Sequence, residues 1–458
     1  MFDPGGKRAS PKGMGRIGPW ARARIDAVRH GGWELPALVA LGALAARLAY
    51  WAVFLRHYVP MSDAAQYDRM ARNFAAGHGI ADIYPSGHLH ATAFRPPLYP
   101  GLLGTLYWLF GSHLAVAQAT NAVLGAGNVL VGARLAQRIG GRWAGVAAGS
   151  ALALYPPLVA NDVVPLSEPL GLLIMLVLAG FLADRRYDRA AVATGLLVLS
   201  RNSAQGVILA IGLWLILAVG VRTAVRFAAI TVLVVAPWIV RNELRVHAPV
   251  VVTSDGFNLT AIYSPEARES YPRLQFVDPT LDVRFASHWS LRNDEARWDA
   301  YLRHRGITGL AQNPARVLTI VSNNAKRLAE LTPKFNIPAE VSDGRVLRVR
   351  NDTLPVFYVI TALGVAGLWR YRRSREARAL AGLAVSFILL TLLFVPAPRL
   401  RAPLDVACCI GFGLLMAPRS GAGADGDEEV SQREAAVPAS ASLPVPVARS
   451  RSNASARG

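Results

Sequence analysis

The chain has 458 residues, 53% of them hydrophobic and 17% charged, where soluble domains carry about 25% charged residues. That balance excludes an ordinary soluble protein and makes the apolar span of about 20 residues the unit of organisation. The formal net charge of +19 would point to nucleic acid in a soluble protein. In a membrane protein, Arg-rich cytoplasmic loops account for it, so no nucleic-acid partner is expected. Cys408 and Cys409 are adjacent within an apolar run and describe no disulfide framework.

In chain order, a basic segment over residues 1–32 precedes the first apolar run, Trp33 to Leu55. This run is too long for a signal-peptide core and reads as a retained helix with a cytoplasmic N-terminus. Further runs are His113 to Leu135, Trp143 to Ala160, Leu166 to Ala183, Ala190 to Leu199, Ala204 to Val219, Ala224 to Val240, Leu354 to Trp369, Ala379 to Val395 and Pro403 to Met416. Leu98 to Phe110, at about 13 residues, is too short to cross and reads as an interfacial helix on the outer leaflet. Left uncounted, it keeps Arg134, Arg138, Arg142, Arg185, Arg186, Arg189, Arg222, Arg226 and Arg370 to Arg378 in the cytoplasm.

The predicted fold class is an all-α polytopic membrane protein, a bundle of about ten transmembrane helices with outer-face interfacial helices. Residues 33–241 form a transmembrane module that includes the outer loop 56–112, 242–352 an extracytoplasmic region, and 353–417 the C-terminal transmembrane helices. Helices are expected at Asp294 to Gly306 and Pro314 to Leu331. The tail 418–458, rich in Ala, Ser, Gly and Pro, reads as disordered and cytoplasmic. No repeat of fixed period and no inverted pair of broken spans is visible.

The first outer loop opens with PMSDAAQYDRMARNFAAGHGI. Tyr67, Met70, Ala71 and Phe74 share one face at helical spacing, and Gly77 and Gly79 end the helix. Asp63 at its start, with Gln66 three residues on, reads from local chemistry first as a variant capping box; the functional alternative is a general base at the mouth of the bundle. His57, His78, His88, His90 and His113 lie in or beside this loop. His88 and His90 with Asp63 or Asp82 could take a divalent metal, but no spacing fixes a ligand set, and solvated loop histidines are the simpler reading. The loop closes on FRPPLYP, whose prolines give a rigid entry to the interfacial helix and whose Arg95 is a substrate-binding candidate.

Asp162 and Glu168 lie at the outer ends of adjacent spans, where an acid beside apolar helix is a functional-site candidate. The bland alternative is a Ser167 cap with Glu168 on the helix dipole. Arg201, Arg241, Arg399 and Arg401 fall on the same side; Arg201 interrupts an apolar stretch, and snorkelling to headgroups is its structural reading. Guanidinium forks suit a lipid phosphate. Carboxylates facing arginines suit transfer of a group from a lipid phosphate to a hydroxyl, the acid taking the hydroxyl proton and the cations stabilising the departing phosphate.

The ordered set SDAAQYDRMARNF, RPPLYPGLLGTLYWLFG, ARLAQRIGGRWAG, LYPP, LSEPLGLL, GLLVLSRNS, APWIVRNELRVHAPVVVTSDGFNLTAI and RLRAPLDV resembles the GT-C glycosyltransferases. Within them it is most similar to the bacterial family 39, protein-mannosyltransferase-like branch. The resemblance implies a multi-pass enzyme of the bacterial plasma membrane with its active site facing outside, taking a hexosyl or pentosyl group from a polyprenyl-phosphate donor with inversion. It matches Asp63 to the family's catalytic aspartate, and Glu168 to its second acidic position, with Asp162 as rival. Arg201, Arg399 and Arg401 are matched to donor-phosphate arginines. Two departures stand out: Asp68 reads as facing solvent, and no proline follows Arg201 at Ser203 or Ala204. The acceptor, whether lipid, glycan or protein, is expected to meet residues 242–352. The alternatives are a transporter or flippase of cell-envelope precursors, which should place ionisable residues in mid-span, where Arg47 is the main example, and a non-catalytic assembly subunit.

Overall fold

The computed structural model describes residues 32–269, 276–394 and 397–418. The basic leader up to residue 31 and the tail from 419, expected to be disordered and cytoplasmic, lie outside the described residues. Everything described as far as Ala417 belongs to one compact unit.

The unit is a helical bundle. In order come α1 (Glu34–Phe54), α2 (Ser62–Ala75), a ribbon of β1 (Ala81–Ile83) and β2 (Leu89–Ala91), α3 (Leu98–Phe110), α4 (Leu114–Gly140), α5 (Arg142–Leu154), α6 (Pro156–Asn161), α7 (Glu168–Ala183), α8 (Tyr187–Ser200), α9 (Gln205–Ala218) and α10 (Val221–Val246). The segment 242–352 supplies α11 (Asp255–Tyr263), α12 (Pro265–Glu269), α13 (Glu295–Gln312), α14 (Arg316–Leu328) and α15 (Pro333–Ser342), and α16 (Leu347–Arg370), α17 (Arg375–Leu393) and α18 (Ala402–Met416) follow. Among the described residues five helices, α1, α4, α10, α16 and α17, are long and apolar enough to cross a membrane; α7 and the segment Asn202–Ala218 are shorter apolar helices. The expected single run Trp143 to Ala160 is two helices, because Pro156 and Pro157 start a new one at Tyr155. Leu98–Phe110 has the bounds read from the sequence.

The outward faces of α1, α9 and α10 carry exposed Leu38, Leu41, Leu209, Leu217 and Leu233, as a surface against lipid requires. The interior relies on small residues. A Cβ at Gly364 or Gly367 of α16 would run into the backbone of Cys408 or Gly411 of α18, so glycine lets these two backbones touch and buries both cysteines. In the segment 242–352, Asp294 caps α13 by accepting from the Arg297 amide. The two-stranded ribbon pairs Ala81 with Ala91 and Ile83 with Leu89, antiparallel.

Chain direction sorts the charges. Glu168 begins α7, and that helix's 16 residues rise about 24 Å before Arg185 and Arg186. From there α8 returns to Arg201, α9 descends, and α10 climbs from Arg222 to Arg241. Arg138, at the end of α4, meets Asp184 after α7 and Glu376 at the start of α17. The arginine-rich loops thus gather at the end of the bundle away from Asp63 and Glu168.

Candidate active site

The site begins with how α2 is held. Its apolar face buries Tyr67, Met70 and Ala71, and Phe74 sits so close to α3 that a Cβ on Gly104 would lie 2.7 Å from its ring. Ser62 enters the helix at a left-handed φ of 49°, a conformation rare for non-glycine residues, and Asp63 follows in the first turn. No side chain caps this helix. The Asp63 carboxylate instead receives Nη2 of Arg95 on one oxygen and Nη2 of Arg399 on the other. Gln66, read as half of a capping box, accepts from Nε of Arg95 at 2.8 Å.

Arg399 is the hub. Beyond Asp63, its Nη1 donates to Glu168 at 3.2 Å and its Nε lies 3.1 Å from Asp343. Arg201 approaches Glu168 from α8 at 3.5 Å, its stem occupying the space where a Cβ on Gly171 would stand. Buried Nε and Nη1 of Arg201 and Oε2 of Glu168 make no hydrogen bond among the described residues. Tyr67 donates to Ser167 Oγ at 3.2 Å, tying α2 to the start of α7.

Accessibility separates the roles. The Asp63 and Arg95 side chains retain 23% and 21% of their exposure, whereas Glu168 keeps 3% and Asp343 7%. Asp63 is therefore the carboxylate of the cluster that an incoming molecule can reach. Burial alone would raise its pKa, but the charges of Arg95 and Arg399 outweigh that and hold it well below the usual carboxylate range. Asp343 is the reverse case: burial, helped by the charges of Glu168 and Asp63, outweighs Arg399 and pushes it up to about 7. Three guanidiniums, Arg95, Arg201 and Arg399, thus converge on the cluster, while one of its acids, Asp343, is part-protonated near neutrality, a balance that favours an added anion.

Not every residue singled out in the sequence comes to this cluster. Asp162 is paired with Arg47, Oδ2 to Nη2 at 2.7 Å, both side chains at 2% exposure or less. The same guanidinium donates to the carbonyls of Ala43 and Ala153, so Asp162 neutralises a buried charge and does not join the cluster around Glu168. Arg401 is taken up by Asp405, Glu330 and the Leu328 carbonyl, and Arg241 by the carbonyls of Thr92 and Ile80. Both arginines spend their donors on the fold. Asp68 does not face solvent: it is buried, accepting from Tyr107 at 2.5 Å and from Arg72 at 2.7 Å. Among the described residues no three His, Cys, Asp or Glu side chains converge as a metal group; the exposed His88 and His90 meet only as rings, His90 stacked on Tyr84.

Sequence reading missed Asp343, Gly171 and Glu295. Asp343 stands in SDG, which reads only as a turn. Glu295 accepts from Thr92 Oγ1 at 2.7 Å, the Ala93 amide at 2.8 Å, and the hydroxyls of Tyr84 and Thr253. Together with Arg241 it pins the two residues that lie shortly before Arg95.

No family model matches the chain, and no curated protein matches it. Among solved structures it is similar to the archaeal oligosaccharyltransferase AglB from Archaeoglobus fulgidus in complex with an inhibitory peptide and a dolichol-phosphate, at 14% identity over 90% of this chain and 52% of that one, TM-score 0.48. It is also similar to ArnT from Cupriavidus metallidurans bound to undecaprenyl phosphate, at 15% identity over 86% of this chain and 80% of that one, TM-score 0.40. The chain spans about half the length of the AglB chain.

Proposed function

We propose that this chain is a GT-C-type membrane glycosyltransferase that moves a sugar from a polyprenyl-phosphate donor to an acceptor hydroxyl on the extracytoplasmic face, with Asp63 as general base. The observation that carries the reading is the accessible Asp63 carboxylate held between Arg95 and Arg399, with the buried Arg201 beside them holding unspent donors. In the transfer, the acceptor oxygen bonds to the anomeric carbon and passes its proton to Asp63. The bond from that carbon to the phosphate oxygen breaks on the opposite side, its electron pair staying on the phosphate, so the anomeric centre inverts. The arginines stabilise the charge left there.

While both guanidiniums rest on Asp63 it is a weak base. A donor phosphate draws Arg95 and Arg399 toward itself, and the basicity of Asp63 recovers as it does so. Donor binding and base activation are then one event. The arginine loops gathered at the far end support this sidedness, since the charge rule assigns such loops to the cytoplasm; a bacterial plasma membrane fits this arrangement. The family 39 branch and a hexosyl or pentosyl donor are part of the same proposal, and the outer region 242–352, through Glu295, borders the mouth where an acceptor enters.

Asp63→Asn keeps the size and removes the base. Transfer from a lipid-linked donor in proteoliposomes is expected to fall by about 10²- to 10⁴-fold with insertion and helicity unchanged. Near-normal transfer by a folded Asp63→Asn protein overturns the assignment. Mass spectrometry of lipid-linked sugars and envelope glycans after gene deletion identifies donor and acceptor.

A further inference from the structure

At the end of the bundle away from Asp63, the turn between α7 and α8 and the start of α10 enclose an open pocket of about 590 Å³. Arg185, Arg186, Arg189, Arg222 and Arg226 line it with a single acid, Asp188. Arg226 pairs with Asp188 at 2.6 Å. The other four arginines are exposed and make no ion pair among the described residues. Two helices long enough to carry a dipole, α8 of 14 residues and α10 of 26, begin at this pocket, at Tyr187 and Val221. Their first amides have no partner within the helix, so both present positive ends.

Topology alone explains positive loops, but it asks only for arginines near the membrane, spread over loops. It does not ask that four unpaired guanidiniums and two helix N-termini converge on one cavity of ligand size. The cavity also has an apolar flank. Leu217, Val219 and Val221 are 77%, 39% and 60% exposed beside it, and Trp214 meets Tyr187 edge-on with ring centroids 6.3 Å apart, an aromatic pair suited to the interface between headgroup and acyl chain. Anion-binding groups bordered by lipid-facing aliphatic residues describe an amphiphile, with a phosphate head in the pocket and chains along α9 and α10.

We infer that this pocket binds the phosphate headgroup of an anionic phospholipid at the cytoplasmic surface, apart from the donor site. Basic pockets of this kind between transmembrane helices hold anionic headgroups through the charge of each Arg. The site uses none of the residues placed in the transfer chemistry; only its cytoplasmic side rests on that reading, and binding is measured without any sugar donor.

The test uses the full chain, purified in a non-ionic detergent, with dioleoyl-phosphatidylglycerol and dioleoyl-phosphatidylcholine offered at equal concentration and retention read by native mass spectrometry. Phosphatidylglycerol is expected to be retained in preference. The triple variant Arg185→Gln, Arg189→Gln, Arg222→Gln is expected to weaken that binding by about tenfold or more, while its transfer activity stays at the parent level. The corresponding triple Lys variant, which keeps the charge, is expected to retain most of the binding. Inorganic pyrophosphate, a soluble anion, should not displace the lipid. Equal retention of the two lipids, undiminished binding by a folded Gln variant, or full displacement by pyrophosphate overturns the inference. Should the Gln variant fail to fold, lipid preference and pyrophosphate competition on the unaltered chain decide it.

Discussion

Replacing Asp162 tests whether the bundle separates its structural carboxylates from its chemical ones. Asp162→Ala leaves the Arg47 guanidinium at 1% exposure without its anion. Removing one partner of a buried ion pair costs about 3–5 kcal/mol. Arg47 keeps three backbone acceptors, the carbonyls of Ala43, Ala153 and Leu152 at 3.1, 3.3 and 3.4 Å, which places the expected loss near about 3 kcal/mol. Replacing both partners, Arg47→Met with Asp162→Leu, removes the stranded charge and is expected to recover most of the loss, since well-packed apolar replacements of buried pairs are often neutral. The assay pairs thermal unfolding of the purified protein with transfer rate per folded molecule. The single variant should unfold at lower temperature and, where folded, transfer normally. An Asp162→Ala protein with unchanged thermal stability and abolished transfer would refute the reasoning and return Asp162 to the chemistry.

Asp343→Asn probes the buried acid of the cluster. Its folded pKa of about 7 lies above the unfolded value of about 3.9, so between these the folded state holds the extra proton and stability falls as pH rises. The asparagine variant is expected to lose that slope in pH-dependent unfolding, and the donor KM, expected to climb as pH passes 7 in the parent, should flatten. A parent-like pH profile in the variant counts against the role. Glu295→Ala releases four donors that hold Thr92, Ala93, Tyr84 and Thr253; transfer should drop through kcat as Arg95 loses its fixed approach, with Glu295→Gln retaining more activity than Ala. Equal loss in both would assign Glu295 to general folding. Gly171→Val fills the space used by the Arg201 stem and is expected to raise the donor KM with the fold intact by circular dichroism; an unchanged KM would remove Arg201 from donor binding.

The apolar periods and the arginine loops made the helical membrane character legible in the sequence, because length and hydropathy are local properties that the bilayer reads directly. Helix α3 and the amphipathic α2 were legible for the same reason. Asp63 was singled out as a candidate through its place in an ordered set of motifs. Which arginines gather around it was not legible. Arg95, Arg201 and Arg399 converge, whereas Arg241 and Arg401 turn to backbone carbonyls and buried acids. All five look alike as cations at helix ends, and only packing decides which acceptor each one meets.

Asp162 and Glu168 show the same limit. Six residues apart, each at the edge of an apolar helix, they were interchangeable until one met Arg47 and the other Arg399. Asp343 joins the site from a turn 280 residues beyond Asp63, a distance over which local pattern carries no information. Composition and the order of apolar runs thus determined that this chain has membrane-spanning helices and carries much of its positive charge between them. The tertiary structure alone decided which charges are spent on one another and which keep donors unpaired, because pairing energy depends on separation and burial, and neither is written in the order of residues.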